Sequence, residues 1–222
     1  MPTDARTALL NLIATHSFKL GDFTLASGQK SDYYIDCRIT TLHAEGGRLS
    51  GIVLYDLIRD HIPNADKIEA VGGLTMGADP LVSNTASASA WALADYNEIA
   101  ELSTTLELEP DEDPGPAPTL IHGFLVRKAE KAHGTGRRIE GFLKPGARVV
   151  IVDDVCTTGG STITAIEATR EAGMTVAAVL CLVDREQGGR PNIEAAIPGV
   201  PFLSVFTADD VREAHIALQK RT

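Results

Sequence analysis

The sequence predicts an α/β fold, a parallel sheet flanked by helices, on three observations. Short apolar runs rich in β-branched residues recur along the chain: "IEAVG" at 68–72, "GFLV" at 123–126, "VVIVD" at 149–153 and "VAAVLCLV" at 176–183. Stretches with apolar residues at helical spacing alternate with them, the pattern of βαβ units. The third observation is that the run at 149–153 stops at two adjacent acids, Asp153 and Asp154, and passes into the Thr/Gly/Ser stretch "VCTTGGST". Buried parallel strands end in this way where a loop leads into a helix and ligands bind.

In chain order, Asp4 to Thr15 reads as a helix, and "FTLASGQKSDYYIDCR" at 23–38, alternating and rich in turn residues, reads as a hairpin outside the main sheet. Helices follow at Ala44–Asp60 and from Gly77 to about Tyr96, either side of the strand at 68–72. Residues 103–118, "STTLELEPDEDPGPAP", combine five acids with prolines and read as an exposed insertion. It is either a passive excursion or a modulator of the basic loop that follows it. After the strand at 149–153 comes a helix at Thr162–Ala172, ended by Gly173. A weaker strand at Pro201–Phe206 and a helix at Asp209–Gln219 complete the chain. With 222 residues and no internal repeat, one domain spanning 1–222 is expected, with a hood segment at 1–40 and the insertion at 103–118.

Composition removes several function classes. Hydrophobic residues make up 44% and charged residues 23%, ordinary values for a folded domain, and no apolar run reaches the roughly 18 residues of a membrane span. The N-terminal stretch has no signal-peptide pattern, so a cytoplasmic location is expected. A formal charge of −10 argues against a nucleic-acid or anionic-membrane surface. Cys37, Cys156 and Cys181 form no CxxC pair and suit reduced thiols.

The chemistry concentrates after the strand at 149–153. Backbone N–H groups, hydroxyls and glycines at a helix N-terminus attract a phosphate. Carboxylates accept hydrogen bonds from vicinal sugar hydroxyls. Phosphate loop and paired acids together describe a ribose-phosphate site. A P-loop would need a lysine after Gly159–Gly160, and a dinucleotide fingerprint would need GxGxxG where the acids stand.

"VVIVDDVCTTGGST" resembles the phosphoribosyl-pyrophosphate signature of the type I phosphoribosyltransferases. "FTLASGQKSDYYID" resembles the hood of the orotate phosphoribosyltransferases within that family, and "VRKAEKAHGTGRRIEG" at 126–141 resembles their mobile catalytic loop. The resemblance runs from about Leu20 to Arg185 apart from the acidic insertion. It implies a five-stranded parallel sheet with a hood, a homodimer sharing its catalytic loop between subunits, and magnesium-dependent joining of orotate to phosphoribosyl pyrophosphate. By the same resemblance Arg127, Lys131 and His133 hold the pyrophosphate, with Lys128 reaching into the neighbouring site. Asp153 and Asp154 hold the ribose hydroxyls, and Val155, Cys156, Thr157, Thr158, Gly159, Gly160, Ser161 and Thr162 surround the 5-phosphate. Thr75 and Met76, in "VGGLTMGADP", occupy the contacting positions of the pyrophosphate-side loop. Asp153, Asp154, Lys131 and His133 are the expected catalytic residues. Magnesium is expected to be held mainly by substrate and water, with no direct protein ligand.

For the base, Arg185 in "LVDREQGG" lies just past a strand end and can present a bidentate fork to a carboxylate. Thr157 and the backbone around Tyr34 and Ile35 complete the pocket by resemblance. The chain departs from some relatives at Ala26 and Met76, where they carry lysines; Lys30 or a backbone N–H can compensate at the phosphates. Other histidines (His16, His43, His61, His122, His215) have no reading beyond surface positions. Besides orotate transfer, the residues leave open a phosphoribosyltransferase for another base and a non-catalytic sensor of phosphoribosyl pyrophosphate. A sensor would have no use for the basic loop, and no nucleic-acid-binding segment is visible.

Overall fold

The computed structural model describes residues 4–24, 30–105, 116–128 and 138–220. It opens with helix α1 (Ala5–Leu12), which runs into a π-helical turn at Ile13–Ser17, and then the antiparallel hairpin of β1 (Phe18–Thr24) and β2 (Lys30–Ile35). A short helix α2 (Arg38–Thr41) leads into α3 (Ala44–His61), whose first turn is capped by the His43 ring accepting from the Gly46 N–H. The main sheet is built from β3 (Ile68–Leu74), β4 (His122–Val126), β5 (Ile139–Gly141), β6 (Arg148–Cys156), β7 (Thr175–Asp184) and β8 (Phe202–Thr207). Helices α4 (Asp79–Thr105), α5 (Gly160–Glu171), α6 (Gly189–Ala196) and α7 (Ala208–Gln219) connect or follow these strands.

The strand order is β5-β4-β3-β6-β7-β8. Five strands are mutually parallel, and β5 is added antiparallel to β4. The expected sheet is therefore extended by one strand. Its three residues, Ile-Glu-Gly, are too short and polar to give a periodic signal. Two helices are also additional to the expectation, α2 and α6; the latter begins in "GGRPN", which reads as a turn because glycine and proline crowd its first turn. Helix α4 runs on to Thr105, so Ser103–Thr105, expected in the insertion, are helical. The rest of that insertion up to Gly115 lies outside the described residues.

Both faces of the sheet are covered, as the apolar runs require. Val150 and Val152 of β6, with Leu180 and Leu182 of β7, pack towards α1, α3, α4 and α7. The alternate residues Val149, Ile151, Val179 and Cys181 pack towards α5 and α6 through Ile166 and Ile193. A side chain such as Ile151 is fully buried, and truncating one like it to alanine typically costs about 2 to 5 kcal/mol. The parallel strands end on one edge, where β3, β6 and β7 deliver Thr75, Cys156 and Arg185. No described helix is long and apolar enough to cross a membrane.

Candidate active site

The two acids sit at the end of β6 in unequal settings. Asp153 is 7% exposed; its Oδ2 accepts from the Thr162 hydroxyl at 2.7 Å and its Oδ1 from the Asp154 N–H at 3.1 Å. Burial, and then the neighbouring Asp154 charge, pushes the Asp153 carboxyl from an ordinary 3.8 up to about 7. Burial also raises Asp154, against the pull of backbone N–H groups and the Arg38 charge. The Asp154 carboxylate lies against Gly77, so closely that any side chain at 77 would overlap it. That contact brings the loop after β3 to the tip of β6.

The stretch after the acids forms a cradle at the start of α5. Gly159, at φ +80°, occupies the cap position of α5, and no side chain caps the first turn. The N–H groups there have no partner within the helix and face solvent beside Thr158, Gly160 and Ser161, all exposed. Helix α6 supports the cradle from beneath: Asn192 Nδ2 donates to the Thr158 carbonyl at 3.0 Å, and Ile193 packs under Gly159. Val155 and Thr157 are half-buried, Cys156 is buried, and Thr162 is committed to Asp153.

In the loop after β3, the Thr75 N–H donates to the Val126 carbonyl at 2.9 Å and the Thr75–Met76 peptide is cis. Met76 is 73% exposed and brings no cation. The basic loop is described only at its stem. Arg127 N–H donates to the Arg138 carbonyl at 2.8 Å, Arg127 pairs with Glu140 at 3.1 Å and Arg138 with Glu171 at 3.3 Å. Lys128 is exposed beyond that stem, while Lys131 and His133, like Ala26 in the hairpin, lie outside the described residues.

At the end of β7 the chain buries a positive charge. Arg185 is 8% exposed, and its backbone N–H donates to the Cys156 carbonyl at 2.9 Å, tying it to the cradle. Its guanidinium donates weakly to the Tyr33 hydroxyl from Nε at 3.4 Å and to the Ser31 hydroxyl from Nη2 at 3.3 Å, and stands 4.7 Å from the centre of the Tyr33 ring. It makes no ion pair with a carboxylate among the described residues. The inward residues of β2 are thus Ser31 and Tyr33. Ile35 shares their face and is buried in the core, and the Tyr34 side chain packs against Phe23; the expectation here concerned the backbone around Tyr34 and Ile35, at the end of β2.

The sequence reading missed Tyr33 and Ser31, Gly77, Asn192 and the pair Asp36–Arg38. Arg38 grips Asp36 through two bonds of 2.8 Å, and its charge acts on Asp154. Period-two alternation along "KSDYYI" was the available signal for Ser31 and Tyr33; the others depend on contacts between distant segments.

Residues 123–200 match the family model described as a phosphoribosyl transferase domain. The orotate phosphoribosyltransferase of Synechocystis sp. is 40% identical over 211 residues, 95% of this chain and 90% of that protein. That of Streptomyces coelicolor is 40% identical over 209 residues, 94% and 98% of the two chains. Among solved structures, Mycobacterium tuberculosis orotate phosphoribosyltransferase with Fe(III) dicitrate superposes with a TM-score of 0.69 at 33% identity, covering 94% of this chain and 99% of that one. The same enzyme in complex with 5-phospho-α-D-ribosyl 1-diphosphate gives 0.64 at 30% identity, with the same coverage. With relatives of this identity spanning nearly its whole length, the chain belongs to the orotate phosphoribosyltransferase family.

Proposed function

We propose that the chain transfers the 5-phosphoribosyl group of phosphoribosyl pyrophosphate to orotate, releasing orotidine 5'-phosphate and pyrophosphate, a step in making pyrimidine nucleotides. The observation that carries this reading is the buried Arg185 guanidinium, unpaired with any carboxylate among the described residues and held next to a ribose-phosphate cradle. A buried cation without a counter-ion is costly, and the carboxylate of orotate is the group that would neutralise it.

The cradle from Val155 to Thr162 holds the 5-phosphate on the N–H groups of α5. Asp153 and Asp154 take the ribose hydroxyls and face the positive charge that grows on the sugar as its bond to pyrophosphate breaks. Catalysis is then chiefly electrostatic, and no side chain acts as nucleophile. Thr75, with the backbone around Met76, lies on the pyrophosphate side, and Arg127, Lys128, Lys131 and His133 of the basic loop gather the leaving group and exclude water. The hard oxygens of Asp153 and Asp154 fit a magnesium ion that would be held mainly by substrate and water oxygens. When bound, magnesium supplies charge neutralisation to the departing pyrophosphate. The chain acts as one phosphoribosyltransferase unit in the cytoplasm, in a homodimer whose catalytic loops are shared.

Orotate should be consumed when phosphoribosyl pyrophosphate and magnesium are supplied, and adenine, hypoxanthine and uracil should not; preferential use of one of those three would overturn the base assignment. Loop sharing is tested by mixing two inactive variants. One carries Arg127→Ala, Lys128→Ala and Lys131→Ala, the other Asp153→Asn and Asp154→Asn. Random exchange makes about half the dimers mixed, each with one intact site if the loop serves its neighbour, so activity should recover to about a quarter of wild type. No recovery after verified exchange would assign each loop to its own subunit.

A further inference from the structure

Two arginines attend one tyrosine ring, and among the described residues only one of them has a counter-ion. Arg185 of the loop after β7 stands 4.7 Å from the Tyr33 ring centre, and Arg212 of α7 stands 5.1 Å from it. Arg212 Nη2 also lies 2.7 Å from both carboxylate oxygens of Asp32, the residue before Tyr33 on β2. That bond holds the Asp32 carboxyl below its usual range and raises the guanidinium of Arg212. Arg212 is thereby neutralised and spent on fastening the hairpin to α7, whereas Arg185 keeps its charge for a ligand.

The rest of the seat is equally fixed. Phe18 of β1 stacks on Tyr33 at 5.6 Å, and His215, one turn along α7 from Arg212, packs on Phe18 at 5.1 Å while its Nδ1 bonds the Ala14 carbonyl at 2.7 Å. The Ser31 hydroxyl that receives Arg185 also donates to the Tyr33 carbonyl at 2.7 Å. Against this, the direct bonds from Arg185 to the two hydroxyls are long, at 3.4 and 3.3 Å, and cannot by themselves set the fork. The aromatic face is the firmer constraint on where the guanidinium lies.

We propose that Tyr33 is a positioning residue that holds the Arg185 fork for the base carboxylate, and that the Asp32–Arg212 pair, by fixing Tyr33, makes α7 part of the base-affinity apparatus. This rests on Arg185 being the carboxylate contact. The side chains of Tyr33 and Arg212 act through Arg185, so their loss should be felt by orotate and hardly by phosphoribosyl pyrophosphate, whose phosphate cradle is formed by a different segment.

The test is steady-state kinetics on the intact protein for Tyr33→Leu, Tyr33→Phe, Arg212→Ala, Arg185→Ala and the double variant Arg185→Ala with Arg212→Ala, with folding checked by circular dichroism. Tyr33→Leu and Arg212→Ala should each raise the orotate KM about five- to tenfold, with kcat and the KM for phosphoribosyl pyrophosphate changed less than about twofold. Tyr33→Phe, which keeps the ring and loses one long hydrogen bond, should stay within about threefold of wild type. In the Arg185→Ala background, Arg212→Ala should add less than about twofold, because its route of action is gone. Equal loss for both substrates, or an Arg212→Ala effect undiminished by Arg185→Ala, would overturn the proposal in favour of a merely structural tie. If Tyr33→Leu does not fold, Arg212→Ala and the double variant decide alone. Arg185→Ala with an unchanged orotate KM would sink the base contact itself. A raised KM there with wild-type behaviour of Arg212→Ala and Tyr33→Leu would sink only the positioning role.

Discussion

At the end of β6 two carboxylates and the cradle at the start of α5 come from one uninterrupted stretch of chain; at the end of β7 a guanidinium is seated by the hairpin, which the last helix ties down. Tyr33 and Arg185 are 152 positions apart, and Asp32 and Arg212 are 180 apart. Both ends bury charge, of opposite sign, and resolve it differently. Asp153 is accommodated by raising its proton affinity and accepting two hydrogen bonds, within its own loop and helix. Arg185 rests on the Tyr33 ring and on two hydroxyls that the hairpin contributes. The acidic end is thus made by local chain geometry, and the cationic end by tertiary packing.

If that division holds, perturbing the two ends should separate turnover from affinity. Asp153→Asn with Asp154→Asn should lower kcat by on the order of a hundredfold or more while the protein stays folded. Near-normal turnover in the folded variant would remove the acids from the transition state. Arg185→Ala should act on affinity: losing a charged bidentate contact raises the orotate KM by about 30-fold, equivalent to about 2 kcal/mol, with little change for phosphoribosyl pyrophosphate. Equal weakening of both substrates would erase the contrast.

The smallest effect is on stability, and it sharpens the account of how Asp153 is accommodated. A carboxyl raised from 3.8 to about 7 on folding favours the folded state fully below the lower value, and that advantage is lost as pH rises through the upper one. Between pH 5 and 6 the wild type should therefore lose about 1 kcal/mol that Asp153→Asn does not lose. Carboxyls held low by arginines, such as Asp36 and Glu45, titrate alike in both proteins and cancel. Urea unfolding of wild type and variant at the two pH values measures the difference; parallel stability losses would mean that Asp153 ionises at ordinary acidity.

The same contrast explains what could be read from the amino-acid sequence. The strands, the principal helices and the loop from Asp153 to Thr162 were legible because period, composition and spacing are properties of contiguous residues. Strand β5 has three residues and no period to detect. Helix α6 hides in a glycine- and proline-rich turn, yet supplies the Asn192 bond beneath Thr158. Arg185 could be singled out by its place after a strand, whereas Tyr33 as its seat could not, since that contact exists only when the hairpin folds over the sheet edge.

The bond from the Arg185 N–H to the Cys156 carbonyl has a metrical consequence. β6 and β7 are adjacent, and adjacent strands lie about 4.8 Å apart, so the backbone positions of Cys156 and Arg185 are spaced by the sheet itself. Side chains can change the chemistry at either strand end, but the backbone span between those ends is a repeat distance of the sheet. The sheet therefore works as a gauge of fixed length, and substitutions in the loops can vary the chemistry at either strand end without changing that backbone spacing.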